Sequence, residues 1–145
     1  MSRRQKDFNK LLAYCKKNKI AVNIKNLGGE AGWLDFEKKI IAICPSYTLE
    51  KRIYYFLHEL GHLLIAKDRR YQAEKAYGVL NFSKKSLTSK VGEIEEEFEA
   101  WHRGRRLAKR LGITINRRVF EMVKSSALAT YFRWATKDKK ELRNQ

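Results

Sequence analysis

The chain has 145 residues, 43% of them hydrophobic and 12% aromatic, which suits one domain with a proper core and excludes a disordered chain. Lys and Arg number 32 against 16 Asp and Glu, a net charge of +16 that attracts polyanions. Two cysteines, Cys15 and Cys44, are too few and too far apart for a C-x-x-C metal site or a disulfide framework, and they fit a reducing cytosol.

The elements follow in chain order. Phe8, Leu11, Leu12 and Cys15 recur at three- and four-residue spacing and predict an amphipathic helix from about Arg4 to Asn18. No apolar run follows the charges of Met1–Phe8, so no signal peptide is expected, and no stretch approaches the length of a membrane span. The expected location is cytoplasmic, with no membrane partner. Ile20–Ile24 alternates as a half-buried strand, and Asn26–Glu30 is a turn. Gly32–Phe36 and Lys39–Ile43 read as two further strands joined through Glu37-Lys38, with Pro45 and Ser46 ending the last.

Thr48 is an expected N-cap, with Glu50 in the first turn of a helix whose apolar side is Leu49, Ile53, Phe56, Leu57, Leu60 and Leu64. A patternless loop is expected from roughly Asp68 to Lys90. A second long helix then runs to about Leu111, with Ile94, Phe98, Trp101, Gly104, Ala108 and Leu111 as its buried side. Asn116 is expected to cap a last helix carrying Phe120, Val123, Ala127, Leu128, Tyr131 and Trp134 to about residue 136. The charged tail from Lys137 to Gln145 is expected to fray. The fold class is therefore α+β, several helices on a small three-stranded sheet. One domain spans 1–145, its parts an N-terminal helix (1–19), a core (20–112), a last helix (113–136) and the tail (137–145). Helix, small sheet, helix, helix is also the order of a minimal zincin.

His58-Glu59-Leu60-Gly61-His62 is the H-E-x-x-H pattern of zinc metallopeptidases. Residues four apart on a helix stand one turn above each other, so both imidazoles can point at one ion. Glu59, beside them, can take a proton from water at that ion. Three fixed residues recur by chance roughly once in tens of thousands of positions. Gly61 lowers helix propensity by about 1 kcal/mol relative to alanine, which points to a backbone approach or tight packing there.

A catalytic zinc needs a third protein ligand. The candidates lie in Glu93-Ile94-Glu95-Glu96-Glu97-Phe98-Glu99. Glu97 falls near the centre of the apolar side of its helix, where an unpartnered carboxylate would cost several kcal/mol. A metal held by His58 and His62 supplies the partner, and Glu93 is the second candidate. Glu95 and Glu99 point away, and His102 lies off the stripe.

The segments Tyr55-Phe56-Leu57-His58-Glu59-Leu60-Gly61-His62-Leu63-Leu64 and Glu97-Phe98-Glu99-Ala100-Trp101 resemble the ImmA/IrrE family of zinc metallopeptidases, especially short members from phages and mobile elements. The resemblance covers about Ile20 to Leu111. It implies zinc on His58, His62 and Glu97, Glu59 as catalytic base, and a DNA-binding repressor or similar regulator as the protein substrate. Where the family often continues into a small apolar run, this chain has His102-Arg103-Gly104-Arg105-Arg106. SprT-like proteases share H-E-x-x-H but use further histidine or cysteine ligands that this chain lacks.

The expected reaction is peptide-bond hydrolysis, with Tyr54 or Tyr55 as a candidate to assist the oxyanion. Trp33–Phe36 or Ile40–Ile43 is a candidate edge strand beside the substrate. The other readings are a catalytically silent zincin-fold adaptor that binds a regulator, and a nucleic-acid-binding module. The charge is uneven: from Trp101 onward there are 13 basic and 3 acidic residues, which makes nucleic acid a candidate partner of that third.

Overall fold

The structure is a computed structural model and describes residues 1–79 and 86–143. Five helices pack around a three-stranded mixed sheet. Their order is α1 (Arg3–Lys17), β1 (Ala21–Ile24), β2 (Gly32–Asp35), β3 (Ile40–Ile43), α2 (Leu49–Lys67), α3 (Arg69–Val79), α4 (Leu87–Leu111) and α5 (Arg117–Arg143). No described helix is long and apolar enough to cross a membrane.

β3 is the central strand, in the order β1-β3-β2. It runs parallel to β1, with Ala21 opposite Ile40, and antiparallel to β2, with Trp33 opposite Ala42. Covered on both sides, Ile41, Ala42 and Ile43 are fully buried, which is why this strand is a continuous apolar run rather than an alternating one. β2 therefore becomes an edge strand, and Ile40–Ile43 cannot be one.

The helix ends follow capping chemistry. The Thr48 side chain accepts from the Lys51 backbone N–H, Ser86 from Ser89 and Asn116 from Val119. Gly112 closes α4 in the left-handed conformation, at φ 69°. Tyr54, buried in α2, donates to Glu50 Oε1 at 2.7 Å and accepts from the Asn116 backbone N–H at 2.8 Å. Arg4 of α1 reaches the same Glu50 at 2.7 Å, so one polar knot joins α1, α2 and the start of α5.

α2 runs through the centre and packs most closely on α4. Two glycines set that approach. A Cβ on Gly61 would lie 2.0 Å from the Ala100 carbonyl oxygen, and one on Gly104 would lie 2.4 Å from that of Leu57. The backbones touch where other helices interpose side chains.

Three expectations need correction. The segment expected as a loop from Asp68 to Lys90 contains α3 and the first residues of α4; residues 80–85 lie outside the described residues. Asp68 is the cue: its carboxylate accepts from the Tyr71 backbone N–H at 3.1 Å, opening a stretch of good helix formers. Phe98 is 44% exposed rather than buried, because α4 turns Glu97, Ala100, Trp101 and Gly104 toward α2. Finally, α5 begins at Arg117 and continues to Arg143, so Lys137–Arg143, expected to fray, is helical.

Candidate metal centre

α2 and α4 bring His58, His62 and Glu97 together at their closest crossing. His58 and His62 stand one turn apart on α2, and Glu97 sits one turn before Trp101 on α4. His58 Nε2 lies 2.9 Å from Glu97 Oε2, and His62 Nε2 lies 2.9 Å from Glu97 Oε1. The two imidazole Nε2 atoms are 3.0 Å apart. One donor atom from each residue lies within 4.8 Å of the others, which is a group able to hold a metal ion.

Protons alone satisfy this arrangement poorly. If both imidazoles donate to Glu97, two N–H groups face each other across 3.0 Å; if one is unprotonated, Glu97 loses a donor. A cation bound by two neutral imidazoles and a carboxylate removes the conflict, and that donor set suits a divalent transition metal. Burial opposes charge on Glu97, but hydrogen bonds from His58 and His62 outweigh it and hold the carboxyl low, at about 2. Burial likewise opposes charge on His62, and its hydrogen bond to Glu97 and that residue's charge overcome it, raising its pKa. The site is thus prepared for a positive centre beside a carboxylate that stays ionised.

The surrounding packing fixes the imidazoles. Trp101, 1% exposed, stacks on His58 with centroids 4.3 Å apart and planes at 10°. Tyr55 and Phe120 meet the indole edge to face, so its plane cannot tilt without moving them. His62 Nδ1 lies 3.9 Å from Glu96 Oε1, and Glu96 is itself paired with Lys75 of α3.

Glu59 projects beside this cluster, with Oε1 3.7 Å from His58 Nδ1. Burial is the first cause that raises its pKa above the usual carboxylate range, against the lowering effect of the two histidines. Gly32 of β2 lies so close that a Cβ there would come 3.1 Å from Glu59 Oε1. The edge strand thus borders the carboxylate directly.

A cleft of about 680 Å³ opens over His58, Glu59 and His62. Gly32, Trp33 and Leu34 of β2 form one wall, and Ala127, Thr130 and Tyr131 of α5 form the other. Its acidic lining residues are Glu30, Glu59 and Glu96, and no Lys or Arg is among the described residues lining it. In a chain of net charge +16, a described lining without Lys or Arg stands apart from the rest of the surface.

Glu93 is exposed and outside the cluster, and so is His102. Tyr54 is committed to the Glu50–Asn116 knot and does not line the cleft; Tyr55 does line it. The tyrosine that reaches the cluster is Tyr131. Burial, then the charge of Glu97 and a hydrogen bond to it, hold that phenol well above its ordinary range. The sequence signal for Tyr131 was only a place on an apolar stripe, which is equally the signature of a core residue. No protein-family model and no curated protein matches the chain.

Proposed function

We propose that the chain is a zinc-dependent metallopeptidase that hydrolyses a peptide bond in a protein substrate. The supporting observation is the convergence of His58, His62 and Glu97 beside a buried Glu59 at the floor of an open cleft. Bonds of 2.0–2.1 Å in a tetrahedral zinc site imply ligand–ligand edges of about 3.3 Å. The two imidazole Nε2 atoms stand 3.0 Å apart and each meets a different oxygen of Glu97 at 2.9 Å, so a small outward movement of the imidazoles gives them such an edge, with either Glu97 oxygen at hand as the third donor. A zinc ion held by these side chains supplies a Lewis acid that polarises the scissile carbonyl and lowers the pKa of water.

The residues of the chain do the rest. Glu59 takes a proton from the attacking water and passes it to the departing amine nitrogen. Tyr131, across the cleft, donates from its hydroxyl to charge developing on the carbonyl oxygen. β2 offers an edge against which an extended peptide aligns, with Trp33 at its exposed face. Absence of Lys and Arg among the described lining residues favours a segment that is not acidic. The ImmA/IrrE resemblance of the motif segments supports a DNA-binding repressor or other regulator of a phage or mobile element as that substrate.

The test combines metal analysis with proteolysis. Purified protein is expected to carry one zinc, to lose it in His62→Ala and to keep it in Glu59→Gln. Wild type is expected to cut a peptide library that Glu59→Gln leaves intact. Full zinc stoichiometry in a His58→Ala/His62→Ala variant, or cleavage by zinc-loaded Glu59→Gln at the wild-type rate, refutes the proposal.

A further inference from the structure

The C-terminal half of α4 concentrates positive charge in a form that the cleft does not use. Arg103, Arg106, Lys109 and Arg110, with Leu64 of α2, line a groove of about 560 Å³. On the other flank, His102, Arg105, Arg106 and Lys109, with Ile113 and Ile115, line a second groove of about 460 Å³. Arg106 and Lys109 belong to both and form a ridge between two basic channels. Neither channel shares a lining residue with the cleft over His58.

Much of this charge lacks compensation within the chain. Arg103 is paired with Asp68 at 2.9 Å and Glu99 at 2.7 Å, but Arg105 meets Glu121 only at 3.4 Å and Arg106 meets the same Glu99 only at 3.5 Å. Among the described residues, Lys109, Arg110, Arg117 and Arg118 have no carboxylate within ion-pair distance. Arg117 and Arg118 open α5, whose first turn holds no acidic residue. Cations at the positive end of a helix are unfavourable for that helix alone, and an external anion reverses the sign.

The shape selects among polyanions. A lipid surface engages a basic helix by inserting apolar side chains beside the charges. Here the ridge is charged, and Ile113, 5% exposed, lies in a groove floor. An acidic peptide needs one channel rather than two flanking a convex ridge. Two rows of phosphates on either side of a duplex groove match two basic channels on either side of a helix, and the major groove admits one α-helix. We propose that this face binds the phosphate backbones of duplex nucleic acid, independently of base sequence and of the metal centre.

The test is the anisotropy of a labelled mixed-sequence DNA duplex, read from about 50 to 200 mM salt with and without chelator. About five phosphate contacts give a log–log salt slope of about −4 to −5. Arg106→Gln/Lys109→Gln/Arg110→Gln is expected to weaken binding more than tenfold at about 100 mM salt and flatten the slope by about 3, at roughly 0.9 per contact. Lys25→Gln/Lys38→Gln/Lys51→Gln removes equal charge from other elements and is expected to change affinity by less than about twofold. If the first variant loses its helical circular dichroism, Lys109→Gln alone stands in, with the slope flattened by about one. Equal weakening by both triple variants, an unchanged slope, or tighter binding of phosphatidylglycerol vesicles or poly-glutamate overturns the proposal.

Discussion

Gly61 meets the Ala100 carbonyl so closely that a methyl group there would lie 2.0 Å from the oxygen. Intrinsic propensity alone makes Gly61→Ala stabilising by about 1 kcal/mol in a helix interior. The collision is with backbone rather than with the end of a flexible side chain, so α2 and α4 must part. Overpacking of this kind costs about 1–3 kcal/mol and here exceeds the propensity gain. Gly61→Ala is expected to lower the urea midpoint and weaken metal affinity, because the same crossing brings Glu97 to the histidines. A variant as stable as wild type would show that the crossing is looser than the backbones imply.

The two carboxylate candidates separate cleanly. Glu97→Ala removes the oxygens 2.9 Å from both imidazoles and is expected to abolish stoichiometric zinc. Glu93→Ala, at an exposed position outside the cluster, is expected to leave zinc affinity within about twofold of wild type. Competition titration with a chromophoric chelator reads both. The opposite ranking would reassign the third ligand.

What the sequence revealed was local. Thr48, the spacing from Leu49 to Leu64 and the paired histidines are periodic features of one helix, so they needed no tertiary information. Glu97 could be picked out because a carboxylate on an apolar stripe demands a partner wherever the helix packs. Phe98 misled the same reading: it is apolar and near the stripe, yet the Gly61 and Gly104 approach rotates α4 and leaves it 44% exposed. α3 was missed because its polar composition carries no strong stripe, and its start depends on Asp68 and a distant Arg103. Tyr131 was hidden for another reason. An aromatic on a buried face signals packing, and only the passage of α5 along the cleft turns it toward Glu97.

Arg103 ties three helices: it donates to Asp68 at 2.9 Å and to Glu99 at 2.7 Å, and lies over the Tyr71 ring at 5.3 Å. The Tyr71 backbone N–H and then Arg103 hold the Asp68 carboxyl below its ordinary pKa. A carboxyl depressed in the folded state contributes stability that is present above its unfolded pKa and is lost as pH falls through the folded value. Arg103→Met is therefore expected to be less stable than wild type at neutral pH, with the gap narrowing at a pH below the ordinary aspartate range, where Asp68 takes up a proton. Urea titrations at the two pH values check this, and a constant gap would assign the effect to packing of the long side chain.

Tyr131 is where the proposed catalytic hydroxyl can be told from a packing aromatic. Its ring lines the cleft opposite β2, and after burial the charge of Glu97 is what bears most on its hydroxyl. Tyr131→Phe keeps the ring and removes one donor. Loss of a donor aimed at developing negative charge typically lowers kcat by about 10²–10³. A donor that serves only to orient Glu97 would instead change metal affinity, by about 10–100-fold. The proposed role predicts a large fall in kcat with KM and zinc affinity nearly unchanged. Tyr54→Phe, which cuts the Glu50–Asn116 knot away from the cleft, is expected to lower stability and leave the proposed peptidase kcat of the folded protein intact. Weaker zinc binding with an unaltered kcat at saturating metal would make Tyr131 a positioning residue for Glu97, and the oxyanion would need another donor.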